Sequence, residues 1–192
     1  MERVKIMKNN VELSSDYEIN GFTMAIIPVE MEGNLYSKVL EEEGEIYVSL
    51  PPLKIIEDSC NFYGSSFEGR KQGTKGISGY THKPPIVIDP MNDIFFFPTA
   101  SPTNDSCIWI SLHYAYEYNK TPTANTRVMF PNNTIVEFPI SKSSYEAQIH
   151  RTSLFRAKLQ QRVNRKRSNS NRSLVATPGI MYRLRNSKDL QS

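Results

Sequence analysis

The sequence predicts an α+β fold: mainly antiparallel β-sheet or a partly open barrel, with a short helix near 52–61 and a long basic amphipathic helix near 144–166. Three observations lead there. Between Tyr17 and Phe138 short β-branched and aromatic runs alternate with Gly, Pro, Asn and Asp clusters, the pattern of strands joined by turns. The connections are too short for the dozen-residue crossovers that parallel strands need. After Pro139 the apolar period lengthens to that of a helix. The 192 residues suit one domain. Residues 15–167 are expected to form it, with 1–14 a loose arm and 168–192 a flexible basic tail.

Taken in order, Phe22-Thr23-Met24-Ala25-Ile26-Ile27 and Glu45-Ile46-Tyr47-Val48-Ser49 read as strands. The acidic run Glu41-Glu42-Glu43-Gly44-Glu45 reads as a solvated turn. Pro51-Pro52 opens a short helix in which Leu53, Ile56 and Cys60 recur at helical spacing, and Gly64 stops it. Glycines 64, 69, 73, 76 and 79 then punctuate what reads as a loop. Pro85-Ile86-Val87-Ile88 and Ile94-Phe95-Phe96-Phe97 form a hairpin about the turn Asp89-Pro90-Met91-Asn92-Asp93. Residues 107–116, Cys107 to Tyr116, read as one long strand. Thr126–Phe130 and Thr134–Phe138 form a second hairpin across Pro131-Asn132-Asn133.

The final helix opens on Ser143-Ser144-Tyr145-Glu146, a capping-box spelling. At 100° per residue, Tyr145, Ile149, Thr152, Phe155, Leu159 and Val163 fall within an arc of about 120°, a stripe fit to pack on a sheet. Lys158, Arg162 and Arg165 lie within about 40° of Arg151, a basic ridge beside that stripe.

Composition narrows the class. Apolar residues make up 39%, and 9 Phe, 10 Tyr and 1 Trp supply core material, too much for a disordered polymer. Two cysteines cannot staple the fold, so Cys60 and Cys107 are expected as reduced thiols. No apolar signal segment follows Met1 and no run approaches membrane length, so a cytoplasmic location without a membrane partner is expected. The net charge of +3 conceals a division. Residues 1–140 carry 11 basic against 18 acidic side chains, a net of −7, whereas 141–192 carry 12 against 2, a net of +10. Such asymmetry points to a polyanionic partner.

The glycine-rich segment Gly64-Ser65-Ser66-Phe67-Glu68-Gly69-Arg70-Lys71-Gln72-Gly73-Thr74 nearly spells a nucleotide phosphate loop. Arg70 stands in the lysine slot, however, and Lys71 is followed by Gln72 rather than a hydroxyl. An enzyme acting on a nucleotide or phosphate ester is the alternative that this segment leaves open. The same residues suit nucleic-acid backbone better, with Arg70, Lys71, Lys75 and Lys83 as phosphate contacts. Arg151, Lys158, Arg162, Arg165, Lys166 and Arg167 follow Glu146 with no acid among them, a repulsive array that a polyanion would neutralise. A single-stranded partner stacking on Phe95, Phe96, Phe97, Tyr114 and Tyr116 is a third possibility. His82, His113 and His150 lack metal-ligand spacing, no nucleophile elbow is present, and no cofactor is called for. Nothing in the sequence requires an enzyme.

The words Ser59-Cys60-Asn61-Phe62-Tyr63-Gly64-Ser65-Ser66-Phe67-Glu68-Gly69-Arg70-Lys71, His82-Lys83-Pro84-Pro85-Ile86, Asp89-Pro90, Ile94-Phe95-Phe96-Phe97-Pro98-Thr99 and Trp109-Ile110-Ser111 occur in this order. Pro139-Ile140-Ser141, Gln148 and Arg151-Thr152 follow. Together they resemble the bacterial competence transcription factor family ComK, over roughly residues 17–163. The resemblance implies a double-stranded-DNA-binding activator of genes for DNA uptake and recombination. It implies recognition of A·T-rich boxes, chiefly through the minor groove, by homodimers that pair on DNA, in the bacterial nucleoid. It further implies restraint by an adaptor that delivers the protein to a Clp protease. Residues 164–192 contain no Met-Leu-Tyr-Pro-like segment of the kind that adaptor binds and no apolar C-terminal helix pattern. The DNA-contact residues named above come from charge, not from the resemblance.

Overall fold

A computed structural model describes residues 3–5 and 12–175, with side chains over 13–165. It divides into two compact units, Met1–Arg156 and Ala157–Ser192. The first contains strands β1 (Arg3–Lys5), β2 (Glu12–Ser14), β3 (Thr23–Met31), β4 (Asn34–Glu41) and β5 (Gly44–Val48). Helices α1 (Pro52–Phe62) and α2 (Phe67–Ser78) follow, then β6 (Ile86–Asp89), β7 (Ile94–Pro98) and β8 (Trp109–Ser111). A 3-10 turn (Leu112–Tyr114) leads to β9 (Glu117–Lys120), β10 (Thr126–Met129) and β11 (Ile135–Phe138). Helix α3 (Lys142–Val175) begins in the first unit and continues into the second.

Eight strands form one open sheet in the order β1-β2-β5-β4-β3-β8-β7-β6, and β11-β10-β9 form a second, smaller one. Pairing is antiparallel except between β2 and β5. The α+β class with a mostly antiparallel, unclosed sheet is therefore as the sequence predicts. Both faces of the large sheet are buried at β6, β7 and β8, which explains β7: Phe96 belongs to the cluster with Ile55, Ile56 and Cys60 of α1, while Phe97 belongs to that with Val128, Phe138 and Tyr145. Phe95 stacks edge-on against Phe155 and Phe97 against Tyr145. Alternating side chains of one strand thus serve opposite faces, as the pleat requires.

Several elements depart from expectation. The 107–116 strand breaks after Ser111 into the 3-10 turn, and β9 pairs with β10 in the other sheet. β4 pairs with β3 along eight residues, yet Ser37-Lys38 interrupt its apolar pattern and hide it from periodicity. Glu12–Ser14 is a strand rather than loose arm, with Leu13 buried. The largest difference is the glycine segment, which is helix α2. Ser66 caps it, its hydroxyl accepting from Gly69 N at 3.0 Å, and Gly79 closes it in the left-handed region at φ 81°. Phe67, Arg70 and Thr74, one face at helical spacing, turn inward: Phe67 packs edge-on to Trp109, and Thr74 Oγ1 donates to Pro85 O. Packing and two caps outweigh the low helix propensity of Gly69, Gly73 and Gly76.

Helix α3 starts at Lys142, two residues before the expected start at 144. Ser144 N donates to Ser141 Oγ at 3.2 Å, whereas Glu146 pairs with Lys142 at 3.7 Å. The stripe holds through Tyr145, Thr152 and Phe155, all buried, with Ile149 half-buried. It does not extend to Val163, which is 40% exposed. The helix reaches Val175, past the expected start of the tail; 176–192 lie outside the described residues. Among the described residues no helix is long and apolar enough to cross a membrane.

Candidate nucleic-acid interface

The cations singled out in the sequence fall in three places. On α2, Arg70 is half-buried, and its Nη2 donates to Tyr63 O at 3.4 Å and Ile88 O at 3.3 Å. That guanidinium ties α1 to β6 instead of standing out on a loop, so it is placed to hold α2 rather than to grip phosphate. Lys71, also half-buried, pairs with Glu68 at 2.9 Å and lies 5.6 Å from the Phe67 ring. Lys75, four residues on, is exposed.

The second place is a cleft of about 290 Å³ where the 82–83 turn meets the first turns of α3. His82, Lys83, Thr99, Ser144, Gln148 and Arg151 line it, with no carboxylate among its lining residues. Lys83 adopts φ 47°, uncommon for a residue with a side chain. Its Nζ donates to Thr99 O at 3.1 Å and its carbonyl accepts from Gln148 Nε2 at 3.3 Å. Arg151 Nη1 donates to His82 O at 3.4 Å, and the guanidinium lies over the Tyr80 ring, 5.3 Å from its centre. Tyr80 went unnoticed in the sequence because a lone aromatic after Gly79 carries no motif; Gln148 was visible only as a word of the resemblance.

The third place is the stretch of α3 within the second unit. There Arg162 and Arg165 are exposed and Lys158 is half-buried, at the helical spacing the sequence predicts. The side chains of Lys166 and Arg167 lie outside the described ones. The adjacent Arg156 is not one of this set: it closes on Asp93, its Nε donating to Oδ1 at 2.8 Å, and anchors the end of the first unit's share of α3.

The acidic turn is more than solvated. Glu41 accepts from Tyr17 Oη at 2.5 Å and Asn20 Nδ2 at 3.2 Å, and Glu42 from Tyr114 Oη at 2.6 Å. Burial, then the neighbouring carboxylates, push both phenols well above their usual range. These glutamates therefore hold the fold and leave Glu43 exposed at the tip.

Other chemistries lose their geometry. A phosphate loop must present backbone N–H groups, but in α2 the Gly69 N–H is taken by the Ser66 hydroxyl and from Arg70 onward they go to preceding carbonyls. Phe95, Phe96, Phe97 and Tyr114 are buried, leaving Tyr116 alone exposed of the five proposed stacking aromatics. Burial pushes the Cys60 thiol up to about 11, although Arg70 pulls it down, and Cys107 is likewise raised, so both are inert. Among the described residues no three His, Cys, Asp or Glu gather as a metal site.

Comparison with known proteins agrees with the sequence words. The competence transcription factor of Bacillus subtilis (strain 168) is 44% identical over 157 residues, spanning 82% of this chain and 81% of that protein. No solved structure matches. Residues 14–164, from the strand beside β5 to the basic stretch of α3, match the family described as ComK protein, and to that family this chain belongs.

Proposed function

We propose that this chain is a transcription factor for competence that binds double-stranded DNA. It prefers A·T-rich boxes, read largely through the minor groove, and activates genes for DNA uptake and recombination within the bacterial nucleoid. The observation that carries the reading is the 44% identity to a competence transcription factor along four-fifths of both chains. The charge supports it independently: 12 cations against 2 acids over 141–192 suit a polyanion.

In this reading Lys71, Lys75, Lys83, Lys158, Arg162, Arg165, Lys166 and Arg167 neutralise phosphates, which fixes position and orientation without reading sequence. Arg151 enters the narrow A·T minor groove, whose enhanced negative potential favours a guanidinium. Arg70 acts indirectly by holding α2, the helix that presents Lys71 and Lys75. Two copies bind together as a homodimer that pairs on neighbouring boxes. Control by a Clp protease adaptor would require a handle other than a Met-Leu-Tyr-Pro-like word, since 164–192 contain none.

A gel-shift series with A·T-rich inverted boxes and G·C-rich duplexes of equal length tests the reading. Tighter binding to the A·T boxes, in steps of two copies, is expected. Equal binding to both duplexes would remove the sequence preference, and single-copy steps would remove the pairing.

A further inference from the structure

We infer that Tyr80 and Gln148 are positioning residues that hold the Arg151 guanidinium in one pose, ready for its nucleic-acid ligand. The inference rests on the DNA-binding reading and names two uncharged side chains that this reading alone does not implicate.

Arginine loses much rotamer freedom when it is fixed on a ligand, and that loss weakens binding unless the free protein has already incurred it. Here the freedom is already restricted from two sides. The Tyr80 ring lies under the guanidinium at 5.3 Å, a cation–π geometry, and His82 O accepts from Nη1 at 3.4 Å. A single carbonyl contact of that length holds little by itself, so the pose depends on the turn that carries both partners.

Gln148 holds that turn. It is 4% exposed and one helical turn before Arg151 on α3. Its Nε2 donates to Pro98 O at 2.6 Å and to Lys83 O at 3.3 Å, fastening β7 and the 80–83 segment to the helix. The amide's orientation follows, because only the nitrogen can face two carbonyls. Its Oε1 is buried and meets no protein donor, which makes a glutamine an expensive residue for packing alone. The left-handed Lys83 is a second unfavourable feature of the same turn. Both penalties fall in the cleft that Arg151 lines, beside the His82 carbonyl that receives its guanidinium. The Tyr80 N–H donates to Ser78 Oγ at 3.4 Å, where the 80–83 segment leaves the end of α2.

The test is a double-mutant cycle on the full chain, read by fluorescence anisotropy with a labelled A·T-rich duplex over a range of salt. Tyr80→Leu should weaken binding about two- to tenfold, the span of a lost cation–π contact, with an unchanged salt slope because no phosphate contact is removed. Tyr80→Phe should bind as the parent does, since the ring face is kept. Arg151→Lys, which keeps the charge but not the planar stack, should match Tyr80→Leu. In the Arg151→Ala background Tyr80→Leu should have no further effect. Additive losses in that cycle, or a Tyr80→Phe variant as weak as Tyr80→Leu, would overturn the positioning role while leaving DNA binding intact. No binding by the parent chain would instead remove the underlying reading. Thermal unfolding of each variant identifies any loss that comes from misfolding, and Arg151→Lys, on the helix surface, keeps the test decisive if Tyr80→Leu unfolds.

Discussion

Arg70 shows how one side chain changes role once its surroundings are known. Among glycines and serines it reads as a loop cation, and nothing local in the sequence signals the carbonyls of Tyr63 and Ile88 that receive it. Those partners are 7 and 18 residues away, a distance at which composition and motif carry no information. Arg70→Ala should therefore act on stability, losing about 1–2 kcal/mol because two part-buried carbonyl acceptors are left without a charged donor. Urea unfolding measures this, and the salt slope of DNA binding should stay that of the parent. Lys83 and Arg151 were legible as cations, but not as neighbours, since the turn and the helix that bring them to one cleft are 68 residues apart in sequence.

Helix α2 sets local propensity against capping. Its interior holds Gly69, Gly73 and Gly76, each less favourable than alanine by about 1 kcal/mol. The signals that do announce it are its ends: Ser66 before Phe67, Glu68 in the first turn, Lys75 in the last turn and Gly79 beyond it. A Cβ added at Gly73 or Gly76 meets no atom within 4 Å, so Gly73→Ala and Gly76→Ala should each stabilise by about 0.5–1 kcal/mol. Gly79→Ala should destabilise by a similar amount or more, because φ 81° disfavours a side chain. Thermal melts of the three variants separate a helix from a loop, for which no such opposition of sign is expected. At the start of α3 the capping register is tested the same way. Ser141→Ala should cost about 1 kcal/mol and Ser143→Ala only a few tenths, the reverse of what the Ser143–Glu146 spelling suggests.

For the whole molecule, the two-sided burial of β6, β7 and β8 in the large sheet bears on both legibility and stability. Hairpins such as β6–β7 and β10–β11 were readable because turn residues and β-branched runs lie within a few positions of each other. β4 and the break after Ser111 were not, because pairing and the switch between sheets are set by contacts distant in sequence. The buried phenols and thiols predict an alkaline limit. Cys60 is raised from its usual 9 to about 11, so the folded state keeps a proton that the unfolded chain gives up. Stability should be level below pH 9 and fall as pH rises from there toward 11. Tyr17, Tyr114 and Tyr145, all raised above their usual 10, steepen the loss beyond that value. Urea midpoints taken across that range give the profile, and a level profile throughout would contradict the burial of these groups.

The claim on which the function depends is that the cations of this chain meet duplex phosphate, and the salt dependence of binding measures that number directly. Full-length protein titrated with an A·T-rich duplex at increasing salt should give a straight, steep fall of log affinity with log salt. Arg162→Ala and Arg165→Ala should each reduce the slope by about 0.9, one phosphate apiece. A slope near zero, or one that neither substitution changes, would contradict the account.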